Sequence, residues 1–152
     1  MLGRILPKSI DNTYRGHWPG IWILALVAFV KLGQGLQTVV HTQHVALGPD
    51  GIPIGTYSPA AAQQVLALLA LLGMYVTIVP LQCLLVLLRY RALVPLMYLF
   101  LVAVQLGART VATLRPDGQA GPAPYGSFIN LGILAATMIG LAMSVTERKE
   151  KL

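Results

Sequence analysis

The chain has 152 residues, 56% hydrophobic and 11% charged, with a formal net charge of +6. So few charged residues cannot cover a water-soluble domain of this size, so the composition points to a chain solvated by lipid. Nor does the positive charge indicate nucleic acid, because the basic residues lie in short segments between apolar runs.

Arg4, Lys8 and Arg15 precede an apolar stretch that begins at Ile21. A secretory signal would end at a small-residue cleavage site. None follows here, and apolar residues continue past Lys31 and Gln34 to Val40, which predicts an uncleaved first span over 19–40. Pro19 suits its first turn, where a missing N–H costs least. A second span is predicted over 58–88, with Pro80 as a kink, and a third, the shortest, over 92–108, with Pro95 near its start. The fourth covers 126–145. Membrane β-strands would be segments of about 10 residues with alternating polarity, which this sequence lacks. The predicted fold is therefore an all-α integral membrane protein, a four-transmembrane-helix bundle in a single membrane domain.

Lys and Arg set the expected orientation. Arg4, Lys8 and Arg15 precede the first span, Arg89 and Arg91 fill the second connection, and Arg148, Lys149 and Lys151 form the tail. With these spans they all fall on one side, while Arg109 and Arg115 fall on the other. The positive-inside rule then places both termini in the cytoplasm of a cell or inner membrane.

The two loops on the other side resemble each other. One reads Leu47-Gly48-Pro49-Asp50-Gly51 and the other Leu114-Arg115-Pro116-Asp117-Gly118, followed by Tyr57 and Tyr125 respectively. Upstream, Gln37, His41 and Thr42 match Gln105, Arg109 and Thr110. The agreement on both flanks predicts a repeated helical hairpin, 19–88 and 92–145, with parallel copies.

Each span carries one polar or small-residue stripe. In the first it is Lys31, Gln34, Thr38 and His41, with Gln37 at its edge; in the second, Gln63, Ala67, Ala70 and Thr77. The third aligns Tyr98, Gln105 and Arg109, and the fourth Asn130, Thr137 and Ser144. Lipid cannot satisfy such groups, so these stripes are expected to face the bundle interior. Most would serve as interhelical hydrogen bonds worth about 0.6 kcal/mol each.

Lys31 stands apart. A charge near the middle of a span costs about 3 kcal/mol, and the acids Asp11, Asp50, Asp117, Glu147 and Glu150 all lie outside the spans. Lys31 is therefore expected to lack an intrachain partner at its depth. It would be neutralised by burial, snorkel toward water, face a hydrated cavity, meet a carboxylate of another subunit or bind an anion. His41 and Arg109 match at one end of the bundle and, with Gln37 and Gln105, form a predicted polar cluster without an acid, suited to a carboxylate, a phosphate or a lipid headgroup.

Other chemistry is not indicated. His41 and His44 have no carboxylate or thiolate beside them for a metal or haem site, and no cofactor is implied. The single Cys83 excludes an intrachain disulfide or a paired-thiol redox site. A nucleophile–base pair, paired carboxylates and a phosphate loop are missing from the spans, which leaves an enzyme acting on lipid as the weakest reading. The expected function is binding or transport of an anionic or polar small molecule, or a lipid headgroup, by Lys31, Gln34, Gln37, His41, Gln63, Gln105, Arg109 and Asn130. The alternative is a structural or regulatory subunit, either a homo-oligomer or part of a larger membrane complex, in which Lys31 pairs with a partner's carboxylate.

Overall fold

The computed structural model describes Ile5 and residues 12–114 and 125–146. Among residues 12–114 and 125–146 the regular structure is entirely helical: α1 (Pro19–Val40), the short α2 (Thr42–Leu47), α3 (Pro59–Arg89), α4 (Val94–Leu114) and α5 (Tyr125–Val145). Single 3-10 turns occupy Ile54–Thr56 and Arg91–Leu93. Helices α1, α3, α4 (with the turn before it) and α5 are each long and apolar enough to cross a membrane.

Local sequence explains several boundaries. Pro19 and Pro59 open α1 and α3, and the Ser58 hydroxyl caps α3 by accepting from the Ala61 amide at 3.3 Å. Pro80 lies buried inside α3, which continues beyond it to Arg89. Helix α4 runs past Ala108, where the third span was expected to end, to Leu114. The Thr110 and Thr113 hydroxyls donate back to the Leu106 and Thr110 carbonyls, both at 2.9 Å, so polar side chains stay satisfied within the helix. Helix α1 breaks at His41, whose φ of −119° and ψ of 43° are not helical. The following turn is held by Asp50 and Ile52 amides donating to the Val45 and Ala46 carbonyls, and Gly51 takes the left-handed φ of 64° there.

Helix α1 packs between α3 and α5, and α4 closes the bundle against α5 and, less extensively, α3. The α1–α5 pair is antiparallel. At one end the His17 amide donates to the Met143 carbonyl at 3.1 Å, and further along Lys31 meets Asn130. The end holding His17, Met143 and the Arg91–Leu93 turn is called the terminal end below, and the opposite end the loop end. The apolar core, with Leu24, Ala28, Cys83, Val94, Tyr98 and Leu101, lies toward the terminal end. Tyr98 is fully buried and donates to the Gly20 carbonyl at 2.5 Å.

The outer surface is apolar. Leu26, Phe29, Leu68, Leu88 and Phe128 are 63–78% exposed, the inverse of a water-soluble surface. Trp18 and Trp22 pack edge to face at the terminal end with ring centroids 6.0 Å apart. The second Pro-Asp-Gly loop, Pro116-Asp117-Gly118, lies outside the described residues, as do Arg4, Lys8, Arg115 and the basic tail.

Candidate functional site

Lys31 does have an intrachain partner. Its ammonium donates to the Asn130 amide oxygen at 2.6 Å, joining α1 to α5. No acid lies at its depth, and a neutral amide on a neighbouring helix supplies the acceptor instead. Lys31 is half-buried and Asn130 exposed, so the contact lies at the edge of the α1–α5 seam rather than sealed in the core.

Arg109, carried by α4, reaches the same stretch of α5. Its Nη2 donates to the Ser127 carbonyl at 3.4 Å, and the side chain is partly buried. A helical carbonyl points along the axis toward the amide four residues on. The Ser127 oxygen therefore lies toward the level of Asn130. Two cationic side chains, carried by α1 and α4, thus bond to α5 within a single turn. Both acceptors are neutral, and the four long helices contain no Asp or Glu.

Deeper along α5 lies a second polar layer. Gln105 on α4 is 8% exposed and donates from Nε2 to the Thr137 hydroxyl at 3.2 Å. The hydroxyl of Thr137, which is fully buried, donates to the Ile133 carbonyl at 2.6 Å. Gln105 Oε1 is buried and has no hydrogen-bond partner among the described residues. Asn130 and Thr137 are two helical turns apart, about 10 Å, so this layer is distinct from the Lys31–Arg109 level.

The remaining predicted residues do not join the cluster through hydrogen bonds among the described residues. Gln34 is half-buried one turn beyond Lys31, and its carbonyl accepts from Thr38 at 2.9 Å. Gln37 and Gln63 are exposed. His41 is also exposed and lies in the break between α1 and α2, because the helical phase that aligned it with Lys31 ends at Val40. With Thr42, Gln43 and His44 it lines an open depression of about 450 Å³. Among the described residues no three His, Cys, Asp or Glu side chains converge as a metal site would require.

Two contacts escape sequence reasoning. The Ser127 carbonyl is a backbone group with no signature of its own, and the Gln105–Thr137 bond pairs members of two stripes whose relative register is set only by packing. No protein-family model, curated protein or solved structure matches the chain.

Proposed function

We propose that the protein is a multi-pass membrane protein that binds an anionic small molecule or lipid headgroup at the Lys31–Arg109 level of the bundle. The observation that supports this most directly is the approach of two cations to one turn of α5 in a protein whose long helices hold no carboxylate. Lys31 has three N–H donors and Arg109 five, and among the described residues each makes one hydrogen bond. The further donors, and two cations on helices that carry no acid, suit an oxyanion, held by the fork of Arg109 and the point charge of Lys31.

In this reading the four long helices span a cell membrane with the terminal end in the cytoplasm, consistent with Arg15, Arg89 and Arg91 at that end. The site then opens in the opposite half, with Gln34 and Asn130 beside the anion and Gln105 beneath it. The paired Pro-Asp-Gly loops would make α1–α3 and α4–α5 two copies of one hairpin.

The test is thermal unfolding of the full chain in detergent across a panel of inorganic anions, carboxylates and anionic lipids. Stabilisation that saturates with concentration and is weakened in Lys31→Met and Arg109→Gln supports the site. A flat response across the panel rejects it. A second protein that co-purifies in fixed ratio, and is lost on Lys31→Met, would instead favour a subunit whose carboxylate faces Lys31.

A further inference from the structure

Resting on that reading, the arrangement of the two cations also bears on the charge of the ligand. Among the described residues, the Lys31 ammonium and the Arg109 guanidinium each hydrogen-bond to a neutral oxygen, the Asn130 amide and the Ser127 carbonyl. Both contacts fall within one turn of α5. A neutral acceptor satisfies a donor but leaves the charge in place. In a partly buried setting that charge is costly until an opposite one arrives.

We propose that this pair of cations selects a phosphate monoester, which places two negative charges on one centre, over a phosphate diester, which carries one. A monoester offers three terminal oxygens, enough to accept a forked pair from Arg109 and a separate bond from Lys31. A diester offers two terminal oxygens, one charge and an extra substituent where the second cation would approach. It leaves one of the two cations uncompensated.

The experiment compares methyl phosphate with dimethyl phosphate, which share the tetrahedral centre and differ by one charge and one methyl group. Unfolding of the detergent-solubilised full chain is followed against the concentration of each at fixed ionic strength. The expected result at about pH 8 is half-maximal stabilisation by methyl phosphate at a concentration about tenfold lower than for dimethyl phosphate. The preference should shrink at about pH 5, where the monoester has regained a proton at its second ionisation near 6. Arg109→Gln and Lys31→Gln, each leaving one cation, should bring the two compounds close together. Phosphatidic acid against phosphatidylglycerol repeats the comparison on lipids. A preference seen only there assigns the monoester to a lipid headgroup, and one seen with methyl phosphate too admits a soluble ligand. Equal binding of monoester and diester by the wild type overturns the charge selection and leaves anion binding standing. Stabilisation by succinate in preference to methyl phosphate also overturns it. If none of these compounds acts, the anion-binding reading falls with it.

Discussion

Gly35 of α1 and Gly73 of α3 face each other where those two helices pack. A Cβ built on Gly35 would stand 2.6 Å from Thr77 Cγ2 and 3.2 Å from the Gly73 carbonyl, and one on Gly73 would stand 2.9 Å from Thr38 Cβ and 3.1 Å from the Gly35 carbonyl. Small residues let backbones meet where lipid offers no hydrophobic drive to association. Gly35→Val should therefore force α1 from α3 and cost about 1–3 kcal/mol, as overpacking does. The measurement is the unfolding midpoint in detergent, with Gly33→Val as a control because nothing lies within 4 Å of a Cβ there. Equal losses at both positions would show that helix propensity, not the seam, is at stake.

Lys31 and Asn130 should respond to mutation with opposite signs. Lys31→Met gives up a hydrogen bond worth about 0.6 kcal/mol but removes a charge whose burial costs up to about 3 kcal/mol. The second effect is larger, so the variant should be more stable than wild type when no anion is present. Asn130→Leu strands the ammonium and should lower stability. Paired unfolding curves check this, and a loss in both variants would mean that the charge is already compensated.

Gln105 supports a similar comparison. Its Oε1 is buried without a partner among the described residues, a situation costing about 1–3 kcal/mol. In Gln105→Leu that oxygen is gone, while Thr137 keeps its bond to the Ile133 carbonyl. The variant should unfold at a higher temperature. A lower temperature would reveal that Oε1 has a donor in the working protein, such as a bound water.

Tyr98 and Gly140 are locked together at the terminal end. The Tyr98 ring occupies the space a Gly140 side chain would need, and its hydroxyl holds the Gly20 carbonyl. Gly140→Ala should cost about 1–3 kcal/mol through the displaced ring. Restoring room with Tyr98→Ala should recover little, because that change opens a cavity of its own. A double-mutant cycle on unfolding free energies measures the coupling, which should be well away from zero.

Tyr14, just before α1, has its phenol pushed up to about 12 by burial. Below the ordinary phenol value of about 10 both folded and unfolded chains hold the proton, and the full stability is present. Between about 10 and about 12 the unfolded chain loses its proton first, so stability declines as pH rises through that window. Tyr14→Phe should flatten part of the alkaline decline, read from unfolding midpoints between pH 9 and 12. An unchanged slope would show that Tyr14 is open to solvent.

How much of this was legible beforehand depends on whether a feature is local. The four helices and the positions of Pro19 and Pro59 follow from hydropathy and from the missing proline N–H, both properties of neighbouring residues. Polar stripes followed from helical phase, yet phase says nothing of where one helix breaks. His41 shares a predicted stripe with Lys31, but the backbone leaves the helix at His41 itself. Likewise Gln63 belonged to a small and polar face, but α1 meets α3 along Gly73 and Thr77, leaving Gln63 exposed.

The sequence by itself determined that the chain folds into four long apolar helices, that their charged residues are basic, and that no acid accompanies Lys31 within them. Those are matters of composition and spacing. Only the tertiary structure decided that Lys31 bonds to Asn130, that Arg109 arrives within a turn of the same place, and that Gln105 is buried with one oxygen unpaired among the described residues. Such contacts depend on the rotation and axial register of one helix against another. Those are set by close packing at positions such as Gly35, Gly73 and Gly140, and no single helix encodes them alone.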